Sequence, residues 1–170
     1  MIDMQIALLA DAHDADGCLS RIAGLAGRAR SAGTPVVHLR QRLDAYPVPA
    51  ELRDIHPAVA PRPGDAVLDK DSADSFLGSG LGDLLRGRAV RRLVVTGFAT
   101  EYCVDSTARA ALSLGHDLVL VSDGHTTPVR PVGVVPTPAQ VVEHHNTTFA
   151  TIQYPGRSIR VTPAARVRFD

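Results

Sequence analysis

Three residues of different chemistry stand where predicted strands end. Asp3 follows the short apolar start of the chain, Lys70 closes the run AVLDK, and Cys103 comes shortly after LVVTGFATEY. The carboxyl ends of parallel strands meet at one edge of a sheet, where α/β proteins bind ligands, so these side chains are expected to converge there. A thiol, an ammonium and a carboxylate that meet in this way can carry out nucleophilic hydrolysis.

Cys103 opens a segment with helical spacing, and this position suggests an activated thiol. The positive end of a helix and its free amides are expected to lower the thiol pKa below its ordinary value of ~8.5. Lys70 would act in the same direction, and a carboxylate nearby would accept the thiol proton. A buried, inert side chain is the alternative for a lone cysteine, and it is what we expect of Cys18, which lies within the first predicted helix.

The segments between these residues alternate between short apolar runs and helix-spaced patterns. Such alternation predicts parallel strands joined by helical crossovers that cover both faces of a sheet. We therefore predict one domain over residues 1–170, an α/β fold in the form of a three-layer αβα sandwich with a mainly parallel, about six-stranded Rossmann-like sheet. The predicted strands are TPVVHLRQ, AVLDK, VRRLVVTG, HDLVLVSDG and RSIRVTP, and the predicted helices are DADGCLSRIAGLAGRARSAG, LGDLLRGR, CVDSTARAALSLG and PAQVVEHHNTTFATI.

Composition narrows the classes of partner. The chain has 170 residues, 45% of them hydrophobic, and 18 Lys and Arg balance 18 Asp and Glu for a net charge of zero. A neutral surface argues against nucleic acid and against an anionic membrane as the main partner. Two cysteines form neither a disulfide framework nor a zinc site, and the start has no signal-peptide pattern, so a reducing, cytoplasmic setting is expected.

The block VVTGFATEYCVDSTARAALSLGHDLVLVSDGHTT resembles the signature of the isochorismatase-like cysteine hydrolases, a superfamily that includes nicotinamidases and N-carbamoylsarcosine amidases. The likeness continues in PVVHLR and in PAQVVEHHNTTFA. It implies a catalytic set made of Asp3, within MIDMQ, together with Lys70 and Cys103. It also implies a small-molecule substrate, a homodimer or larger homo-oligomer, and chemistry that needs no cofactor.

The resemblance further implies a non-proline cis peptide at Phe98–Ala99. The main-chain N–H groups of Ala99 and Cys103 would then form an oxyanion hole for the tetrahedral intermediate.

Three residues that flank the catalytic positions are expected to line the substrate pocket: Gln5, Phe76 and Tyr102. Ordinary packing in the core or in a loop is the alternative for each of them. Most of the pocket is expected to come from the loops at residues 44–66 and 126–138.

Two alternatives concern the amino-terminal region. IALLAD can also be interpreted as a strand that ends in Asp11, although the MIDMQ context favours Asp3. His13, Asp14 and Asp16 lie where the nicotinamidase branch has its metal ligands, but their spacing does not match, so no metal is predicted. The strand ahead of Asp3 is shorter than the family pattern, which leaves the positioning of Asp3 open.

The predicted function is a metal-independent cysteine hydrolase that acts on a small amide, ureido or related substrate through a covalent thioester-type intermediate. The isochorismatase branch cleaves a vinyl ether, so the resemblance leaves the type of bond open. Two other classes remain as alternatives: a non-catalytic scaffold with a disordered Asp3, and a redox-responsive thiol protein in which Cys103 is oxidised. His144 with Asn146 is expected to be a packing or dimer contact.

Overall fold

A computed structural model describes residues 1–131 and 136–169, and its architecture is α/β with parallel strands, as predicted. Every predicted strand and helix beyond residue 14 appears close to its expected place. The strands are β1 (Val37–Gln41), β2 (Ala66–Lys70), β3 (Arg92–Phe98), β4 (Asp117–Thr126) and β5 (Ile159–Thr162). The α-helices are α1 (Ile6–Leu9), α2 (Ala15–Ser31), α3 (Leu81–Gly87), α4 (Asp105–Ser113) and α5 (Pro138–Thr151).

The described strands form two parallel sheets, β1–β2 and β3–β4–β5, instead of one sheet of about six strands. Ile2 joins the two sheets, because it bridges in parallel to Leu39 on one side and to Gly97 on the other. Its N–H donates to the Thr96 carbonyl at 3.0 Å, and its carbonyl accepts from the Phe98 N–H at 2.9 Å. The segment ahead of Asp3 thus takes the central position between the sheets but contributes one bridge to each instead of a strand.

The helices form where apolar side chains recur with helical spacing. In α2 this spacing buries six side chains, and Gly33 follows the helix with a φ of +69°, a conformation that glycine adopts without strain. A capping box between Thr137 and Gln140 begins α5, with Pro138 in its first turn. The buried residues of α2 are Cys18, Leu19, Ile22, Leu25, Ala26 and Ala29.

Two helical segments differ from the sequence predictions. The alternative strand that would end in Asp11 is wrong, because IALL forms the short helix α1 and Asp11 is exposed. The segment at Cys103 begins with a π turn, Thr100–Val104, which continues directly into α4. Cys103 therefore lies inside the first turn of a helical segment that starts three residues earlier than expected.

The main hydrophobic core lies between β3, β4 and the helices that pack on them, and Leu120, Ala108 and Leu112 are among its most buried residues. An apolar cavity of about 170 Å³ opens between the amino halves of β1 and β3, beside Met1. None of the helices in residues 1–131 and 136–169 is both long enough and apolar enough to cross a lipid bilayer.

Candidate active site

Asp3, Lys70 and Cys103 meet at the carboxyl edge of the strands. Lys70 is the last residue of β2, and its ammonium lies 2.7 Å from a carboxylate oxygen of Asp3 and 3.4 Å from the Cys103 sulfur. The Asp3 and Lys70 side chains are at most 1% exposed, whereas Cys103 is half-buried. The three residues predicted from the sequence therefore form one cluster, in which Cys103 is the least buried member.

Two further contacts orient the Lys70 ammonium. It donates to the side-chain oxygen of Gln41 at 2.8 Å and to the Ser72 carbonyl at 3.0 Å. An ammonium has three protons, and the third is donated to the Cys103 sulfur at 3.4 Å. The Asp3 carboxylate lies beside the same ammonium as its ion-pair partner.

Asp3 is held by main-chain pairing although its carboxylate is almost free of hydrogen bonds. Its N–H donates to the Leu39 carbonyl at 2.8 Å, and its φ of +52° turns the chain out of the central position. Among the described residues, neither carboxylate oxygen accepts a well-directed hydrogen bond, and Lys70 reaches Asp3 as an ion pair. Burial raises the pKa of the Asp3 carboxyl above its usual value, and the nearby Lys70 charge opposes this rise.

The expectation of a lowered thiol pKa at Cys103 is wrong. Burial raises the pKa of the Cys103 thiol to about 11, and the Asp3 carboxylate adds to this rise while Lys70 opposes it. A helix terminus and a lysine are visible in the sequence, whereas the loss of hydration and the adjacent negative charge arise only in the folded chain. At neutral pH the Cys103 side chain is therefore a thiol.

The main chain around Cys103 offers amide donors to a ligand. The Phe98–Ala99 peptide bond is cis. The Ala99 carbonyl accepts from the N–H groups of Tyr102 and Val104, both at 3.1 Å, which closes the π turn. Within the described residues, no main-chain hydrogen bond uses the Ala99 N–H as a donor. This N–H is thus available next to the turn that carries the sulfur.

Gly97 allows the central segment to approach β3. A Cβ at this position would lie 2.2 Å from the Ile2 carbonyl oxygen, and the φ of +137° is one that L side chains rarely adopt. Glycine is therefore required where the main chain before Asp3 packs against the main chain before Ala99.

Gln5, which was predicted to line the substrate pocket, has its side-chain amide hydrogen-bonded to main-chain groups. It is fully buried, and its amide donates to the carbonyls of Gln41 at 3.0 Å and Arg53 at 2.7 Å. Its oxygen accepts from the Gln41 N–H at 2.8 Å. Both amide protons are thus used. Through these bonds Gln5, two residues after Asp3, connects the end of β1 with the loop near residue 53.

Phe76 and Tyr102 differ in position. Phe76 packs against the main core and stacks on His116 at 6.0 Å between ring centroids, which agrees with ordinary packing, the alternative given for it. His116 directly precedes β4 and thus belongs to the opposite edge of the sheet.

Tyr102 is 56% exposed beside Cys103, with the Arg130 guanidinium 5.9 Å from its ring centre. Tyr102 remains a candidate for substrate contact. In the predicted pocket loop 126–138, residues 132–135 lie outside the described residues.

The amino-terminal acidic and histidine residues do not assemble into a metal site. Asp14 pairs with Arg21 at 2.6 Å, and Asp16 is exposed on the first turn of α2. No group of three or more His, Cys, Asp or Glu side chains in the described part of the chain is arranged to hold a metal ion. Cys18 is buried in the core as expected, and burial raises its thiol pKa to about 12.

The polar residues that support the site are not among those predicted from the sequence. Gln41 and Ser72 hold Lys70, and Thr127 donates its hydroxyl to Glu101, which also forms an ion pair with Arg130. Each of these contacts joins segments at least one element apart, except the one at Ser72. No spacing pattern along the chain indicates such contacts, although Gln41 does end a predicted strand.

A second buried group lies behind the π turn: Thr100, His125 and Asn146 are linked by side-chain hydrogen bonds. His144 is exposed on α5 and contacts the His145 ring edge-on, whereas Asn146 faces the protein interior. Asn146 is thus a packing contact, one of the two roles expected for it, and a dimer contact at His144 stays a prediction. A polar cavity lined by His13, Arg21 and Glu143, among others, borders the same group.

Sequence comparison identifies relatives for most of the chain. The isochorismatase domain family matches residues 1–133. A streptothricin hydrolase of Streptomyces noursei is 40% identical over 135 residues, which are 75% of this chain and 48% of that protein. A ureidoacrylate amidohydrolase of Variovorax paradoxus is 44% identical over 63 residues, 37% of this chain and 25% of that protein. The chain thus spans about half the length, or less, of these curated relatives.

Solved structures resemble the whole fold. A putative isochorismatase hydrolase from Oleispira antarctica superimposes with a TM-score of 0.85 at 28% identity, covering 97% of this chain and 91% of that one. An isochorismatase from Pseudomonas putida gives 0.84 at 25% identity, with 99% and 88% coverage. An N-carbamoylsarcosine amidase from Thermoplasma acidophilum shares the fold with a TM-score of 0.77 at 18% identity, covering 99% of this chain and 96% of that one.

Proposed function

The chain belongs to the isochorismatase family, and we propose that it is a cysteine hydrolase that cleaves a C–N bond in small amide or ureido substrates. Cys103 is the nucleophile, Asp3 the proton carrier, and Lys70 the cation that holds Asp3 and stabilises the sulfur anion. The observation that carries this proposal is one ammonium in contact with both a buried carboxylate and the sulfur of the half-buried Cys103. Reactive groups in such contact need no rearrangement before attack.

The raised pKa values of Asp3 and Cys103 suit a site in which the proton moves only when substrate is bound. Asp3 has a pKa above that of an ordinary carboxyl, so it is a stronger base than a carboxylate in water. The Cys103 thiol keeps its proton until the sulfur begins to bond to carbon. As the proton passes to Asp3, the negative charge moves onto sulfur, and Lys70 stays 3.4 Å from it.

The first half-reaction forms a thioester. Sulfur adds to the carbonyl carbon of the substrate, and its proton goes to the Asp3 carboxylate. The carbonyl oxygen becomes an oxyanion, for which the Ala99 and Cys103 N–H groups are the proposed donors. The C–N bond then breaks, the nitrogen takes the proton from Asp3, and the amine or ammonia leaves while the acyl group stays on sulfur.

The second half-reaction uses water. Asp3 takes a proton from a water molecule as its oxygen adds to the thioester carbon. The new oxyanion collapses with cleavage of the C–S bond, which releases a carboxylic or carbamic acid. The sulfur recovers its proton from Asp3, so the site returns to its resting state with one amide bond and one water consumed.

The names of the relatives support a C–N substrate. One acts as an amidohydrolase on ureidoacrylate, and the other hydrolyses streptothricin. We therefore propose ureido and amide compounds as the substrate class, with Tyr102 and Arg130 as contacts beside the sulfur. The vinyl ether of isochorismate is the second candidate substrate, since the matching family carries that name.

The alternatives from other classes have less support. A scaffold role was tied to a disordered Asp3, but Asp3 is buried and paired with Lys70. A redox sensor relies on a resting thiolate, whereas the pKa of the Cys103 thiol is raised to about 11.

The decisive experiment combines a substrate panel with detection of the intermediate. N-carbamoyl amino acids, ureidoacrylate, simple amides, streptothricin and isochorismate are each incubated with wild type, Cys103→Ala and Cys18→Ala. We expect amine or ammonia release from a ureido or amide compound, and an acyl adduct on Cys103 by intact mass after acid quench. Both signals should vanish in Cys103→Ala and persist in Cys18→Ala. Turnover that survives in Cys103→Ala would exclude this mechanism.

A further inference from the structure

A buried chain of hydrogen bonds runs from α5 to the π turn. Asn146 on α5 contacts Nε2 of His125 through its side-chain oxygen at 3.0 Å, and His125 Nδ1 contacts the Thr100 hydroxyl at 2.9 Å. Thr100 and His125 are 1% and 3% exposed. The proposed mechanism uses none of these three residues. Their polar atoms satisfy one another by hydrogen bonding, since polar groups are costly to bury without partners.

The direction of each bond in this chain is determined. The Asn146 amide nitrogen donates to the Ser122 carbonyl at 3.0 Å, which leaves its oxygen to accept from His125 Nε2–H. Burial lowers the pKa of His125 to about 4, so the ring is neutral at pH 7 and carries its one proton on Nε2. Nδ1 is then an acceptor, and the Thr100 hydroxyl donates to it.

A local irregularity of the sheet places His125 at the site. Between the pairs Val95–Leu120 and Gly97–His125, β3 advances by two residues while β4 advances by five. The extra β4 residues form a bulge that re-aims the strand end toward the π turn. Gly124 lies inside this bulge, where a Cβ would come within 2.8 Å of the Val121 side chain.

Thr100 is the link between this buried chain and the reactive groups. It directly follows Ala99, whose N–H is a proposed oxyanion donor, and it begins the π turn that carries Cys103. A bond to the Thr100 side chain therefore restrains the position of the Ala99 amide and the direction in which the turn presents the sulfur.

We propose that His125, held by Asn146, is a positioning residue that fixes the π turn through the Thr100 hydroxyl; this inference rests on the proposed hydrolase function. His125 touches neither substrate nor sulfur. It acts by keeping the oxyanion donor and the nucleophile in one geometry, where small displacements lower the rate of the chemical step far more than substrate affinity.

Two replacements of His125 separate its two contacts. His125→Asn keeps a carbonyl oxygen near the place of Nδ1 and thus an acceptor for Thr100, whereas His125→Gln keeps an amide donor near Nε2 for Asn146. We expect kcat to fall about 10- to 100-fold in His125→Gln and in Thr100→Val, with KM changed less than about twofold. His125→Asn should retain kcat within about threefold of wild type.

A matched control separates positioning from general stability. His38, in β1, is also buried. Its Nε2 contacts Asp65, the residue directly before β2, at 3.1 Å. His38→Asn should lower the melting temperature, as the His125 variants do, and leave kcat unchanged. If the His38 variant loses kcat in proportion to its stability, or if the two His125 variants behave alike, the inference is overturned.

Two readouts are independent of hydrolysis. The iodoacetamide labelling rate of Cys103, measured in a Cys18→Ala background, should change in His125→Gln and Thr100→Val and stay near the reference value in His125→Asn. Nitrogen-15 NMR of the imidazole should show a neutral His125 with the proton on Nε2. A proton on Nδ1 would overturn the inference, and absence of any turnover with unchanged labelling and NMR results would reject only the hydrolase function.

Discussion

The Lys70 ammonium and the Asp3 carboxylate form an ion pair 2.7 Å apart in which neither side chain is more than 1% exposed. Removing two charges from water is costly, and the pair is stabilised because each ion is the principal counter-charge of the other. The sulfur of the half-buried Cys103 lies 3.4 Å from the ammonium. The electrostatics of the thiol are therefore set by a dipole made of residues from two distant parts of the chain.

Removing the Asp3 charge should separate thiol reactivity from catalysis. Asp3→Asn eliminates the negative charge that helps to raise the pKa of Cys103, so the thiol pKa should fall below about 11. Alkylation of Cys103 at pH 8 should become faster, while hydrolysis is lost because no base remains. The measurement is the pH profile of iodoacetamide labelling in a Cys18→Ala background. Slower labelling of the variant would contradict this electrostatic account.

Loss of Lys70 should have the opposite effect on the thiol and a large effect on stability. Lys70→Met leaves the Asp3 carboxylate buried and unpaired, which costs about 3–5 kcal/mol of unfolding free energy at pH 7. The pKa values of Asp3 and Cys103 should both rise. Urea denaturation at pH 7 and pH 5 measures the stability change, and the deficit should be smaller at pH 5, where Asp3 is protonated more readily.

The double variant is the control for this prediction. Asp3→Asn combined with Lys70→Met removes both charges, so it should be more stable than Lys70→Met alone at pH 7. If the changes in unfolding free energy of the two single variants sum to that of the double variant, the ion pair does not contribute as described.

Gly97 should tolerate no side chain. Gly97→Ala would place a Cβ 2.2 Å from the Ile2 carbonyl, so we expect a loss of about 3 kcal/mol or more and impaired positioning of Asp3. Gly24→Ala is the control, because it lies within α2 where an added Cβ would have no atom within 4 Å, and it should stabilise by up to about 1 kcal/mol. Thermal unfolding of both variants measures the contrast. A mild effect at Gly97 would mean that Ile2 does not pair closely with β3.

Stability should decline in acid partly because of His125. Its pKa is lowered to about 4 by burial, below the ordinary value of about 6.5, so the unfolded chain takes up the proton first as pH falls. The stabilising contribution is complete above pH 6.5 and is lost progressively down to about pH 4, by up to roughly 3 kcal/mol. The free energy of unfolding, measured by urea denaturation between pH 7 and pH 4, should therefore fall less with decreasing pH in His125→Asn than in wild type. Parallel slopes would show that His125 does not titrate in this window.

Much of the fold follows from local patterns in the sequence. The strand β4 contains the apolar run LVLV, α2 has helix-spaced apolar residues, and α5 begins with a Thr-Pro cap. The placement of Asp3, Lys70 and Cys103 at strand ends was predictable because parallel strands bring their carboxyl ends to one edge. The sequence also showed that the segment ahead of Asp3 is too short for a full strand. It did not show that the sheet would consist of two parts joined at Ile2.

The polar environment of the site was not predictable from these patterns. Gln5 and Phe76 lie near reactive positions in sequence. The Gln5 side chain, however, donates to the carbonyls of Gln41 and Arg53, and the Phe76 ring stacks on His116. The side-chain hydrogen bonds of His125 reach residues 25 and 21 positions away along the chain, and both depend on the β4 bulge. Such contacts depend on distances between elements, which residue spacing within one element does not encode.

The sequence by itself determined the α/β class, the order of the elements beyond residue 14, and the three reactive side chains at one edge of the sheet, because strand alternation and strand ends are local properties. Only the tertiary structure decided the protonation chemistry. The pKa of Cys103 depends on the balance between lost hydration, the Asp3 charge and the Lys70 charge. Lost hydration and the Asp3 charge raise this pKa and the Lys70 charge lowers it, and all three come from segments that meet only once the chain has folded.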